Sequence, residues 1–303
     1  MKYYSLNDYL RDKYGKKIYK IAIDAGFTCP NRDGTLGTGG CIFCSGAGSG
    51  DFAGDRHESI TEQIEKGKKR IGNKAGRENG GYIAYFQAYT NTYAPVNVLE
   101  EKYMEAINHP EIVGIAIATR PDCISDAVVE LIERINKIKP VWVELGLQTS
   151  CERTAIYIRR GYELPVFANA VDKLATIGVH IVTHVILGLP GEDKEKMLNT
   201  VRYVADLAAK YDKSIPARFG IKLQLLHIIE GTDLAKDYYE GRFECLSMDE
   251  YIDIVTECLK LLPSDMVVHR LTGDGDKRTL IAPMWSTDKK RVLNELNRAI
   301  ANV

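Results

Sequence analysis

An α/β fold on a parallel sheet is what the sequence predicts, and three observations predict it. β-like and helix-like stretches alternate along the chain. Several strand candidates are apolar on both faces, as strands buried under helices are. A length of 303 residues is one that a single α/β barrel commonly reaches.

Each element follows from its residues. IYKIAIDAG (18–26) is the first strand candidate, and a glycine- and cysteine-rich loop separates it from an amphipathic stretch at 58–71. YIAYFQA (82–88) precedes a helix at 96–108, and VGIAIAT (113–119) precedes one at 125–138. VWVELGLQ (141–148) leads to a helix at 165–176, and HIVTHVILG (180–188) to one at 192–209. FGIKLQLLHI (219–228) and a helix at 248–262 complete six βα units, which form a sheet either curled into a barrel or left open and doubly wound. The tail adds HRLTGDGD (269–276) and a closing helix at 288–301, so one domain is expected, with an extension at each end.

The bulk numbers exclude several classes. With 45% hydrophobic and 27% charged residues, the chain can bury a large core. A formal net charge of −1 exerts no global pull on nucleic acid, so any polyanion needs a local basic patch. MKYYSLNDYLRDKYGKK lacks the apolar core and cleavage site of a secretory signal. No uninterrupted apolar run approaches the roughly 18 residues of a membrane span, so no membrane partner is expected. Seven cysteines, an odd number, argue against a disulfide scaffold, and a cytoplasmic location is expected.

Barrel enzymes carry their chemistry on the loops after the strands. Cys29, Cys41 and Cys44 follow the first strand, Gln87 and Tyr89 to Asn91 the second, and Thr119 to Asp122 the third; Gln148 to Ser150 end the fourth, and GLPGED follows the fifth. In CPNRDGTLGTGGCIFC (29–44) the cysteines are spaced C-x11-C-x2-C. Thiolates suit zinc or an iron–sulfur cluster. Structural zinc needs a fourth ligand, for which His57 is nearest. A cubane can instead be held by three cysteines, leaving one iron open. Gly34, Gly37, Gly39 and Gly40 let the loop bend around such a group, and Phe43 either shields it or packs in the core.

With these residues on view, the chain resembles the radical S-adenosylmethionine (SAM) superfamily, and within it the YhcC/YtqA-like group of small bacterial proteins. TCPNRDG, GCIFCS, TRPD, ELGLQT, RRGY, HVILGLPGE, HRLTGDG and the APMW segment carry the likeness over nearly the whole chain, and several also resemble the Elongator catalytic subunit. Most superfamily members space the cysteines C-x3-C-x2-C, and the longer first gap here departs from that pattern. The resemblance implies a partial (β/α)6 TIM-type barrel over 18–262, an N-terminal extension over 1–17 and a C-terminal one over 263–303 packed on the barrel. It also implies a [4Fe-4S] cluster held by Cys29, Cys41 and Cys44, and SAM on the open iron. Reductive cleavage of that SAM to a 5′-deoxyadenosyl radical would draw on an external electron donor such as flavodoxin or ferredoxin.

The same resemblance gives supporting residues their expected roles. Thr90 and Asn91 sit where members contact the SAM amino group, or they form a polar loop. Glu144 and Gln148 alternate on the fourth strand, so both should face the interior, and a buried carboxylate needs a partner, SAM or Arg160, or a structural ion pair. Arg160 resembles an arginine near the methionyl carboxylate. Gly188, in GLPGE, either approaches the adenosine or makes a strand-to-helix turn. Asp122, Lys222 and Gln224 are further cavity candidates. His269, Arg270, Asp274 and Asp276 form a substrate pocket or a capped glycine turn. Cys123 and Cys151 are read as unligated thiols near the site, Cys245 and Cys258 as packing residues.

KGKKRIGNKAGR (66–77), Lys13 to Lys20 and Lys289 to Arg291 are basic stretches that either hold phosphates or form solvated faces. Tyr82, Tyr85, Tyr89 and Tyr93 either stack on an unpaired base or pack in the core. Elongator-like members act on wobble uridine of tRNA, so the resemblance implies remodelling of its 5-position side chain, such as carboxymethylaminomethyl to aminomethyl. No second domain for acetyl-CoA is seen, which sets the Elongator reaction itself aside. The rivals are a radical SAM enzyme acting on a small metabolite, and a non-catalytic zinc or iron–sulfur module.

Overall fold

The computed structural model describes residues 3–75, 80–211, 218–273 and 275–302. Six parallel strands, β1 (Ile18–Ile23), β2 (Gly81–Phe86), β3 (Ile112–Thr119), β4 (Val141–Gln148), β5 (His180–Leu187) and β6 (Phe219–Leu225), lie side by side in chain order. A short β7 (Ile228–Ile229) pairs antiparallel with β9 (Leu280–Ala282). Between them in sequence, β8 (Val267–Arg270) joins the free edge of β6 as a seventh parallel strand. The sheet curls into a half-barrel that runs from β1 to β8 without closing on itself.

The seventh strand comes from the segment expected as an extension. Four residues, VVHR, are too short to show a period, and only pairing along β6 makes them a strand.

Helices α2 (Ile60–Ala75), α3 (Val96–Asn108), α4 (Asp126–Asn136), α6 (Leu164–Thr176), α7 (Lys194–Ala209) and α9 (Met248–Leu261) follow the six long strands in turn, with the short α5 (Glu152–Tyr157) ahead of α6 and the short α8 (Asp233–Tyr239) ahead of α9. Their apolar stripes cover the outer strand faces, where Ile21, Ile117, Leu145, Val185 and Leu223 join one core. Caps set several of the starts: the Ser125, Asp193 and Ser247 side chains each accept from a backbone N–H in the first turn. None of the described helices is long and apolar enough to cross a membrane.

The inner face changes character with depth. At the N-terminal end of the strands Ile83, Ala116, Trp142, Val182 and Val267 form an apolar floor. Above it stand Lys20, Tyr85, Glu144, His184 and Lys222, and the strand-following loops lie above those. Helix α1 (Leu6–Tyr14), which is not among the helices expected from the sequence, plugs the floor. Its Tyr9 and Leu10 are buried against Trp142, the Tyr9 hydroxyl is hydrogen-bonded to His180 Nε2 at 3.1 Å, and the His180 ring stacks on Trp142 at 4.8 Å. Burial, with Lys13 and Arg218 nearby, pushes His180 down to about 3, so that imidazole stays neutral. Just before α1, Val268 N–H donates to Tyr4 O at 2.8 Å, so the N-terminal segment covers the exposed edge of β8.

If the floor is a packing core, Trp142→Ala should cost about 3–5 kcal/mol in chemical denaturation. Tyr9→Phe, which deletes one hydrogen bond and leaves the ring, should cost about 1 kcal/mol. Equal costs for the two variants would contradict the packing assignment.

Candidate functional site

The loops at the C-terminal ends of the strands surround a cavity of about 580 Å³ that descends to the charged inner face of the half-barrel. Cys29, Cys41 and Cys44 line its upper wall, and Glu144 and Lys222 line its depth.

The cysteine loop is held by its own residues and by Tyr89. Arg32 Nη2 donates to Cys44 O at 2.9 Å and Ser45 O at 2.7 Å, while Asn31 Nδ2 donates to Arg159 O at 2.8 Å and approaches Cys41 Sγ at 3.6 Å. Tyr89 N–H donates to Gly48 O at 2.8 Å and its hydroxyl to Gly46 O at 2.6 Å. Gly48 has φ +59°, and a Cβ there would lie 2.4 Å from the Tyr89 ring, so only glycine admits this contact. The sequence pattern alone gives Asn31 and Arg32 no role. The signal that points to them is a pair of polar side chains beside a cysteine, in a loop that must be fixed.

The thiol geometry bears on the metal. Around one zinc ion with bonds of about 2.3 Å, tetrahedral thiolates stand about 3.8 Å apart. Among the described residues the three cysteine sulfurs do not form a set within 4.8 Å of one another, and no set that does includes His57. His57 is exposed and does not line the cavity. As they stand, the three thiols do not form a closed single-ion set. Burial pushes Cys41 up to about 12, with Cys44 adding to the rise, and burial raises Cys44 as well. Thiols in that state become ligands only when a metal displaces their protons. The set that does lie within 4.8 Å is Glu65, His109 and Glu111, where the Lys68 ammonium already bridges the two carboxylates.

The other expected residues divide. Thr90 and Gln148 line the cavity. The Gln148 amide, in the orientation that satisfies it, donates to Gly146 O at 2.8 Å and Leu147 O at 2.9 Å. Asn91 is fully buried and does not line the cavity; its Nδ2 donates to Phe86 O at 3.0 Å and Ala118 O at 2.9 Å, tying β2 to β3. Gly188 is away from the cavity too, in a turn with φ +91° where a Cβ would meet Leu246 at 3.0 Å. Cys123 and Cys151 do not line the cavity, Cys245 packs beside a small apolar cluster, and Cys258 is buried in the main core. His269 and Arg270 line the depth, Asp276 pairs with Arg278 at 2.6 Å, and Asp274 lies outside the described residues.

Arg160 does not meet Glu144. Its guanidinium donates to Thr149 O at 2.7 Å, Tyr162 O at 3.0 Å and the Glu152 carboxylate at 3.1 Å, so it clamps the loop after β4. Arg160 also lines the cavity, but the guanidinium groups beside the thiols are those of Arg32, on the cysteine loop, and of Arg120, which is fixed by a fork onto Asp122 at 2.9 and 2.7 Å. Burial opposes the Arg120 charge, yet Asp122 and the neighbouring Cys41 and Cys29 raise its pKa on balance.

Glu144 is 1% exposed and takes its partners from three other strands. Lys20 of β1 donates to Oε1 at 2.6 Å, His184 of β5 meets Oε2 at 2.9 Å, and Lys222 of β6 donates to Oε2 as well. Lys222 Nζ also donates to the Tyr85 hydroxyl at 3.2 Å, and both ammonium groups lie over the Tyr85 ring. Burial would raise the Glu144 pKa, but Lys20 and Lys222 hold it well below the usual range. Burial pulls Lys222 down to about 7 against the pull of Glu144, and pulls His184 down to about 4 with help from Lys222. Lys20, read from sequence as part of a basic surface, is thus an interior residue. Lys13 stays exposed at the floor, with its ammonium over the rings of Tyr9, Tyr14 and Trp142.

Comparison with known proteins bears on this arrangement. The model of the Radical SAM superfamily matches residues 29–204, and that of the Radical_SAM C-terminal domain matches 219–302. The protein YtqA of Bacillus subtilis is 46% identical over 99% of this chain and 90% of its own length; YhcC of Escherichia coli K12 is 37% identical over 95% and 89%. A tRNA uridine(34) acetyltransferase of Methanocaldococcus jannaschii is 25% identical over 88% of this chain and 53% of its own length. The solved Elp3 of Methanocaldococcus infernus shares the fold, with TM-score 0.63, 16% identity, and coverage of 87% of this chain and 58% of that one.

The depressed Lys222 has a consequence for stability. Between about pH 7 and its unfolded value of 10.5, the folded protein has shed a proton that the unfolded chain still binds, so this group destabilises below pH 7 and ceases to do so as pH rises. Thermal unfolding of anaerobically reconstituted protein from pH 7 to 9.5 should therefore favour the wild type progressively over Lys222→Met. Parallel curves would show that the ammonium is not desolvated.

Proposed function

The chain belongs to the radical SAM superfamily, in its YhcC/YtqA-like group, and from that premise we propose that it is an enzyme acting on a modified wobble uridine of tRNA. The family uses a [4Fe-4S] cluster and SAM, and Cys29, Cys41 and Cys44 are the residues that would hold the cluster here. The carrying observation is that these three thiols gather at the head of a walled cavity whose depth is charged.

When bound, the cluster and SAM supply a hydrogen-abstracting 5′-deoxyadenosyl radical, with the electron drawn from a donor such as flavodoxin or ferredoxin. The chain's own residues do the rest. Asn31 offers an amide hydrogen to the Cys41 sulfur, Arg120 sets a positive charge beside the thiols, and Thr90 and Gln148 present polar atoms for SAM. The α1 plug closes the floor against water, which protects a reactive species inside.

The substrate reading rests on the kinship with a protein that modifies uridine 34, and on cations at the wall of the cavity. Arg70 lines the cavity and Lys69 is exposed beside it, whereas Lys66 and Lys68 are paired with Glu58, Glu65 and Glu111. The reaction we favour converts carboxymethylaminomethyl to aminomethyl at the 5-position, in the cytoplasm: the bond between nitrogen and the carboxymethyl carbon breaks with uptake of water, the two-carbon unit leaves as glyoxylate, and SAM, ending as methionine and 5′-deoxyadenosine, would take up the two electrons.

Anaerobic reconstitution should yield about four irons per chain and reductive SAM cleavage, both lost in Cys41→Ser; one zinc without cleavage would return the chain to a binding module. Nucleoside profiling of tRNA from cells lacking the gene should show carboxymethylaminomethyl uridine accumulating in place of its aminomethyl product. tRNA binding should weaken steeply with salt, and absent or salt-insensitive binding would transfer the substrate to a small metabolite.

A further inference from the structure

The charged layer beneath the thiols is unused by anything so far described. Glu144 lies four residues before the end of β4 and Lys222 three before the end of β6, which at about 3.3 Å per residue sets them roughly 13 and 10 Å below the mouth. A ligand fixed at the thiols keeps its own carboxylate at the mouth, so this depth serves something else.

Two ammonium groups share one carboxylate there. An ammonium has three donors. Among the described residues, Lys222 Nζ uses two, on Glu144 and Tyr85, and Lys20 Nζ uses one, on Glu144. His184, kept neutral by burial, offsets no charge, and among the described residues β3 brings no acidic side chain to this layer, where Ala116 and Ala118 stand. A buried layer with more positive than negative charge is unfavourable until an anion enters it.

We propose that this layer is a carboxylate-binding subsite, in which Lys222 and Lys20 grip the acidic end of a substrate arm that reaches down past the thiols. The inference deepens the wobble-uridine reading and rests on it for the arm: a carboxymethylaminomethyl group ends in a carboxylate several bonds from the base. Glu144 is a positioning residue, since it holds both ammonium groups at the wall of the cavity and touches no substrate.

The test uses reconstituted protein, with iron content and circular dichroism checked for each variant. The probes are an anticodon stem-loop RNA bearing 5-carboxymethylaminomethyluridine, the same RNA bearing its methyl ester, and the two free nucleosides. Wild type should bind acid over ester by on the order of tenfold. Lys222→Met should abolish that preference, and Lys222→Arg should keep part of it. Since an anion favours the protonated lysine, the preference should also fall as pH rises above about 7. Acid preference with the nucleoside but no RNA binding keeps the subsite and removes the tRNA reading. Conversion of the RNA without acid preference, or with a preference indifferent to Lys222, removes the subsite and keeps that reading. No binding of any probe overturns both.

Discussion

A sheet that curls without closing leaves two bare edges and an inner face that must be filled, and the rest of this chain answers to that constraint. An eight-stranded barrel fills its interior with side-chain layers and has no edges. Here seven strands stop at β8, so α1 packs against both β1 and β8, and the segment before it hydrogen-bonds along the β8 edge. The apolar floor of Ile83, Trp142 and Val182 can therefore be dry without a complete barrel around it. With the bottom closed, the upper interior becomes a cavity approached from the loops.

The layer above the floor is the least economical part of the fold. Removing Glu144 and Lys222 from water, with Lys20 partly buried beside them, costs several kcal/mol per buried ion, and their attraction recovers that only when every atom is partnered. Glu144 meets this condition with partners on both oxygens. Lys222 does not meet it fully, and burial, with Lys20 nearby, takes much of its basicity against the pull of Glu144. A hydrophobic layer would have been more stable, so the charges point to use of the space rather than to support of the sheet.

The strands and their helices are legible in the sequence because burial between the sheet and an outer helix layer leaves a strong mark on composition. IAIAT in β3 and VELGL in β4 read as strands from their residue types alone. What escapes such a reading is set by contacts distant in sequence. Lys20 looks like the end of a basic stretch, and only the inward turn of β1 places it on Glu144, 124 positions away. Arg120 directly follows β3 and Arg160 follows a short helix after β4, both carry the same charge, and nothing local tells which one Glu152 consumes and which one lies beside Cys41. Helix α1 leaves little trace because Tyr9 and Leu10 are few among polar neighbours, and their burial depends on a floor built by other strands.

The cysteine loop and the charged layer solve opposite problems with the same means. Above, neutral thiols with raised pKa values must surrender protons to an incoming metal, so the backbone around them is pinned by Asn31, Arg32 and Tyr89 while the sulfurs stay free to bind. Below, fixed cations must not collapse onto the protein, so one carboxylate holds two of them apart and a tyrosine ring lies under both. Between these two layers the inner wall sets the small groups Ala22, Ala118 and Gly146 on β1, β3 and β4 against the longer Gln87 just after β2 and Ile186 and Gln224 on β5 and β6. The passage from the thiols to the charged layer is therefore open on one side and lined by amide and aliphatic side chains on the other, so the two layers face one continuous space.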